Sequence, residues 1–125
     1  MNKRILSILV ENTAGVLSRV SGLFSRRGYN IDSLSAGITT DPNYTRMTVV
    51  CKGDELILEQ ITRQVEKLED VLSVKVLKDE QSVTRELMLV KVRVSPEQRA
   101  GITAIVDIFR ANIIDVGKES MIVEL

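Results

Sequence analysis

The order in which two hydrophobic periods alternate along this chain constrains its fold more than any other feature. Ile5-Leu6-Ser7-Ile8-Leu9-Val10 is short, β-branched and apolar on both faces, which predicts a central strand. Glu11-Asn12-Thr13-Ala14-Gly15 breaks it. Val16, Val20, Leu23 and Phe24 then recur at helical spacing, with Leu17 beside them and Ser18, Arg19, Ser21 and Ser25 on the other side. Arg26 and Arg27 suit the negative end of the helix dipole, and Gly28 is placed to end the helix in the left-handed conformation. Residues 30–40 alternate as a strand, Asp41-Pro42-Asn43 signals a turn, and Tyr44 to Lys52 returns as a strand, giving a hairpin. Gly53-Asp54 opens a second helix with its apolar stripe at Leu58, Ile61, Val65 and Leu68, and Val71 to Leu77 closes as a strand.

The order β-α-β-β-α-β with right-handed crossovers predicts an α+β, ferredoxin-like (split βαβ) unit over residues 1–77, four antiparallel strands backed by two helices on one face. The other sheet face, with Ile5, Leu9, Arg46, Thr48 and Val50, is expected to stay bare unless another chain covers it. Residues 78–82, Lys78-Asp79-Glu80-Gln81-Ser82, read as a polar linker. In residues 83–125 a strand around Met88, Val90, Val92 and Val94 leads to Ser95-Pro96-Glu97-Gln98. That run has the pattern of an N-cap, a proline at the first helical position and a capping-box glutamine. A helix bearing Ile102, Ile105, Val106 and Phe109 is expected next, then strands at Ile113 to Val116 and Met121 to Leu125 joined through Gly117. Phe24 ahead of Ile31-Asp32 echoes Phe109 ahead of Ile114-Asp115, so the second unit reads as an incomplete βαββ copy of the first.

Composition excludes several function classes. The 17 basic and 17 acidic residues balance, so no global field draws nucleic acid or an anionic membrane. The absence of histidine removes the commonest general acid/base and the commonest zinc ligand. A single cysteine, Cys51, leaves no internal disulfide or multi-cysteine metal site, and reads as a small buried hydrophobe of a reducing cytoplasm. The apolar run after Met1-Asn2-Lys3-Arg4 is too short for a secretory signal or a membrane helix. Aromatics make up only 3% of the chain, which argues against base stacking on an RNA-binding sheet. A small acylphosphatase-like hydrolase on the same architecture needs an arginine in the first loop, and Glu11 to Gly15 has none.

Two features can carry function. The loop Glu11 to Gly15 presents backbone N–H groups at a helix N-terminus, where unpaired donors and the dipole favour a carboxylate or phosphate. Gly15 lets a ligand approach the backbone closely. Gly28-Tyr29-Asn30 carries the chain back to the sheet, and Asn30 offers a donor and an acceptor. From spacing alone, each reads better as a plain turn or helix cap than as a ligand site.

Their context resembles a known family. The runs Arg4 to Asn12, Gly15 to Val20 and Gly22 to Leu34 are similar to the acetolactate synthase (acetohydroxyacid synthase) small subunit, an ACT-domain family. The likeness continues at Arg46 to Val49, Leu58 to Ile61, Val71, Arg85 to Val92 and Ile113 to Val116. The resemblance implies a regulatory subunit without catalytic residues or a cofactor of its own. Its partner would be the large catalytic subunit, which carries thiamine diphosphate and magnesium. It would activate that subunit and confer feedback inhibition by valine or a related branched-chain amino acid. It further implies a homodimer through the ACT domain. The effector would lie between Asn12, Ala14, Gly15 and Val16 of one chain and Asn30 and Ile31 of the other. The ACT fold alone equally permits a stand-alone amino-acid sensor that regulates another biosynthetic enzyme. The family's second domain normally continues with a further helix and strand beyond the point matched by Leu125.

Overall fold

A computed structural model describes residues 2–125, so Met1, the first residue of the N-terminal segment read above, lies outside it. The chain divides into two compact units, one ending at Ser82 and the other running Val83–Leu125. In the first, β1 (Asn2–Glu11), α1 (Val16–Arg27), β2 (Ile31–Ile38), β3 (Tyr44–Gly53), α2 (Glu55–Glu66) and β4 (Val71–Leu77) follow in the expected order. The sheet order is β2-β3-β1-β4 with every neighbouring pair antiparallel. This is the ferredoxin-like arrangement, and β1 is an inner strand as its two apolar faces required.

Strand alternation and helix periodicity meet in one core. Leu6, Ile8 and Val10 from β1 and Met47, Val49 and Cys51 from β3 pack against Val16, Val20, Leu23 and Phe24 of α1 and Leu58, Ile61 and Val65 of α2. Asp54 caps α2 by accepting the Ile57 N–H at 2.9 Å, and Gly28 ends α1 in the left-handed region at φ 69°. Leu68, expected on the α2 stripe, falls just beyond the helix end yet still packs against the core. The sheet face away from the helices is less bare than expected. Ile5 is buried, while Leu9, Thr48 and Val50 are half-buried and Arg46 is exposed. The Arg46 guanidinium donates to Ser7 Oγ across that face at 3.0 Å.

Strand β2 is two residues shorter at its end than its alternation suggests. Thr39 instead enters the turn, with its N–H on Tyr44 O at 3.0 Å and its Oγ on Asp41 O at 2.8 Å. It is also an edge strand. Leu34, Ala36 and Ile38 stand opposite Val49, Met47 and Thr45, on the helix side of the sheet, yet all three are exposed.

The second unit holds β5 (Leu89–Arg93), α3 (Arg99–Ile108), β6 (Asn112–Val116) and β7 (Ser120–Glu124), with the sheet order β5-β7-β6. That order repeats β1-β3-β2 of the first unit. A register shift recurs near the start of the second strand, between Ile31 and Ser33 and between Ile113 and Asp115. The capping sequence at Ser95 opens a 3₁₀ turn, Pro96–Gln98, before α3 begins, with Gln98 Oε1 accepting the Ser95 N–H at 3.0 Å. Phe24 and Phe109 prove not to be equivalent. Phe24 sits a turn inside α1 and is buried, whereas Phe109 is the C-cap of α3 and is exposed. Of the apolar residues expected to pack from α3, only Val106 is buried; Ile102 is half-buried and Ile105 exposed. An apolar groove of about 180 Å³ runs between α3 and the sheet, lined by Val90, Ile102, Ile105, Phe109 and Val123 among others. In the first unit α2 covers the matching stretch of sheet.

Candidate functional site at the first strand-to-helix loop

The loop between β1 and α1 is fixed at both ends. At the front, Asn12 donates its N–H to Asn43 O at 2.8 Å and its Nδ2 to Pro42 O at 2.9 Å, and its Oδ1 accepts from Thr45 Oγ at 3.2 Å. The Asn12 side chain therefore ties the loop to the β2–β3 turn, and Oδ1 keeps one lone pair for a further donor. At the back, the Glu11 N–H donates to Asp70 O at 2.9 Å.

Gly15 occupies the left-handed region at φ 83° and stands at the N-cap of α1, where no side chain caps the helix. In that first turn the Leu17 and Ser18 N–H groups have no hydrogen-bond partner among the described residues, beside exposed Ala14 and Gly15. An anionic group is favoured there by those donors and by the helix dipole. The Val16 side chain is buried in the core and its N–H donates to Thr13 O at 3.4 Å, so neither stands open to a ligand in this chain.

The second half of the expected site lies past the other end of the helix. Gly28 and Tyr29 close α1 by donating to Ser25 O at 3.2 Å and Phe24 O at 2.9 Å, and the Tyr29 ring meets Phe24 edge-on. Asn30 is then exposed, and its side-chain amide makes no hydrogen bond among the described residues. A local capping role for that amide is thereby absent from this structure. Ile31 is half-buried against the core edge. Since α1 has 12 residues, Gly15 and Asn30 are separated by a helix of about 18 Å. A single chain does not bring the two halves round one small ligand.

Two further residues at the loop have no counterpart in the reading of the sequence. Arg19 forms a bidentate ion pair with Asp70, through Nε to Oδ2 and through a terminal nitrogen to Oδ1 at 3.1 Å. The same terminal nitrogen donates to Ala14 O at 3.3 Å. The hydrogen bond that Arg19 donates to Asp70 raises the Arg19 pKa above its ordinary value, with burial opposing, so the guanidinium stays charged. Beside it opens a cleft of about 470 Å³ bounded by Glu11, Leu68, Glu69 and Asp70. The only local signal for this pair was the spacing of Gly15 and Arg19, one helical turn apart. Asp70 is brought in by the fold.

Among the described residues no group of His, Cys, Asp and Glu side chains is placed to hold a metal ion, and no helix is long and apolar enough to cross a membrane. Cys51 is buried without a role in the loop, and burial raises its pKa.

Comparison with known proteins agrees along the whole length. Residues 6–73 match the family model for the ACT domain of acetohydroxyacid synthase small subunits, and residues 85–125 match that for the small subunit of acetolactate synthase. The acetolactate synthase isozyme 3 small subunit of Escherichia coli is 50% identical over 123 residues, covering 98% of this chain and 76% of that protein. A probable acetolactate synthase small subunit of Archaeoglobus fulgidus is 46% identical over 123 residues, covering 98% of this chain and 77% of that protein. The crystal structure of the acetolactate synthase small subunit from Thermotoga maritima superposes with a TM-score of 0.91 at 39% identity, covering all of this chain and 78% of that one. The chain therefore belongs to the acetolactate synthase small-subunit family, the regulatory and non-catalytic subunits of that enzyme.

Proposed function

We propose that this subunit senses valine, or a related branched-chain amino acid, at a site shared by two copies of the chain. The β1–α1 loop of one copy, bounded by Asn12, Ala14, Gly15 and Val16, receives the α-carboxylate on those main-chain N–H groups of the loop and first helical turn that have no partner within the chain. Asn30 and Ile31 of the other copy supply a polar partner for the ammonium and an apolar wall for the branched side chain. The observation that carries this reading is that the two halves lie at opposite ends of α1, with the Asn30 amide unpaired and exposed. A second copy is the simplest way to unite them, since ligand pockets commonly form between chains and bury most of the ligand. The β2 edge offers the contact: it lacks a strand neighbour on one side and exposes Leu34, Ala36 and Ile38 on the helix face. Unpaired edges of this kind pair readily under two-fold symmetry. In this reading residues 1–77 sense and dimerise, 78–82 link, and 83–125 form the second, partial domain. The protein works in the cytoplasm, activates the catalytic large subunit, which holds thiamine diphosphate and magnesium, and transmits inhibition by the amino acid.

Mixed dimers test the shared site. Gly15→Asp and Asn30→Ala homodimers are expected to bind valine poorly by calorimetry. Heterodimers with one substitution per chain, isolated through two affinity tags, are expected to regain one intact site, about half the wild-type stoichiometry. No recovery would place both residues in one chain's site and refute the arrangement. Turnover of the cognate catalytic subunit, unchanged by the wild-type chain, would refute the activating role.

A further inference from the structure

We infer that Arg19 and Asp70 form a clamp that holds the β1–α1 loop in its ligand-receiving shape, so that this ion pair sets the effector affinity without touching the effector. The affinity part of this inference rests on the function proposed above; the clamp itself does not.

The loop has four residues between strand and helix, Asn12 to Gly15, and its amides can serve a ligand only if they are held in one arrangement. Asn12 secures the side next to the β2–β3 turn. Within the loop the Thr13 N–H donates to Glu11 O at 3.0 Å and the Val16 N–H to Thr13 O at 3.4 Å. On the side opposite Asn12 the ties from the loop to the rest of the fold run through Asp70 and Arg19. Asp70 O takes the Glu11 N–H, the Asp70 carboxylate takes the Arg19 fork, and Arg19 reaches back to Ala14 O. The Arg19 N–H also donates to Gly15 O at 3.0 Å, so backbone and side chain of one residue grip the loop at neighbouring carbonyls.

Gly15 is shaped to this clamp. A Cβ there would stand 2.9 Å from the Arg19 terminal nitrogen Nη1 and 3.8 Å from its guanidinium carbon. The guanidinium thus lies over the space that any other residue would fill. Its planar fork matches the carboxylate in a way the single ammonium of lysine does not. Asp70 engages Nε and a terminal nitrogen together, which commits the arginine to the protein. Arg19 is therefore a positioning residue. The Asp70 side chain is largely shielded, at 16% exposure, against 49% for Arg19, so the anchored partner is the aspartate.

The test is a double-mutant cycle with Arg19→Gln, Asp70→Asn and the double variant, read in two ways. In the ligand-free chain, hydrogen exchange at the Glu11, Thr13 and Arg19 amides should quicken about fivefold to tenfold in each single variant, with core amides such as Val49 unchanged. The double variant should be no faster than the singles, because the pair acts as a unit. Valine affinity by calorimetry should fall by a similar factor in all three. Unchanged loop exchange, or effects that simply add in the double variant, would overturn the clamp. Altered exchange with unchanged valine affinity would overturn its link to the effector. A wild-type chain that fails to bind valine would overturn the proposed function, and the exchange cycle would still decide the clamp.

Discussion

Replacing Gly15 by alanine separates backbone strain from the seating of Arg19. At φ 83° an L-residue enters the left-handed region, where contact between Cβ and the following carbonyl costs about 1–2 kcal/mol. Gly28, at φ 69° beyond the other end of the same helix, has nothing within 4 Å of an added Cβ. Gly28→Ala therefore carries the conformational cost alone and serves as the control. In Gly15→Ala the new methyl also meets Arg19 at 2.9 Å, and the guanidinium must withdraw. Withdrawal of a flexible side chain adds little to the global cost, so both variants should lose about 1–2 kcal/mol in urea unfolding. In thermal unfolding of a domain of this size each kcal/mol corresponds to a fall in Tm of about 4–8 °C. Only Gly15→Ala should also weaken valine binding and quicken exchange at the loop amides. If Gly15→Ala is as stable as wild type, the strain argument is wrong. Equal loss of valine affinity in Gly28→Ala would show that the loop responds to helix stability and not to the seat beneath Arg19.

Three further outcomes follow from burial and capping. Ile61→Ala, at a fully buried centre of α2, should cost about 2–5 kcal/mol in denaturant unfolding followed at the first unit. Asp54→Ala removes the acceptor of the Ile57 N–H and should cost about 0.5–2 kcal/mol, most of it restored in Asp54→Asn. Burial raises the Cys51 pKa, so above the unfolded thiol value of about 8.5 the unfolded chain loses a proton that the folded chain keeps. Its contribution is complete below that pH and is lost as pH rises toward the folded value. Stability measured from pH 8 to 10 should therefore fall more steeply in wild type than in Cys51→Ala.

The helices, the inner strand and the caps were legible because each is written in neighbouring residues. Val16, Val20, Leu23 and Phe24 mark one helix face, and Gly28 ends it as its position suggests. Likewise the order of strands follows from the crossovers that two helices of this length permit. The exposure of Leu34, Ala36 and Ile38 was not legible, since alternation gives a strand its two faces but not its place in the sheet. Leu34 stands on the same face as Val49 and still meets solvent because β2 is the edge. The candidate site divides in the same way. Gly15 and Asn30 were found from turn chemistry, and the resemblance grouped them. What Asn12 does was hidden, because its partners lie in the hairpin turn 30 or more residues away. Arg19 looked like any solvated residue on the polar helix face, and its meaning depends on Asp70, 51 residues on.

The repeat between the two units carries one more consequence. In the first, β1 is flanked by β3 and β4, and α2 covers the sheet beside α1 with Leu58, Ile61 and Val65 buried. In the second, among the described residues, β5 pairs only with β7, and the unit has one α-helix, α3. Its buried apolar residues are Val94, Val106, Met121 and Val123, while Ile105, Ile108 and Phe109 face solvent. Burial of one such side chain stabilises by about 1.5–3 kcal/mol, so the smaller set of buried residues makes the second unit the weaker of the two. Local opening should therefore begin in the second unit. Native-state hydrogen exchange at rising denaturant should give the amides of β5 and β7 a lower opening free energy than those of β1 and β3. The β7 amides are the sharper probe, because β7 lies between two strands and cannot be dismissed as a fraying edge. If β7 and β1 exchange with the same free energy, the two units open together, and the sparse core of Val83–Leu125 does not limit the chain's stability.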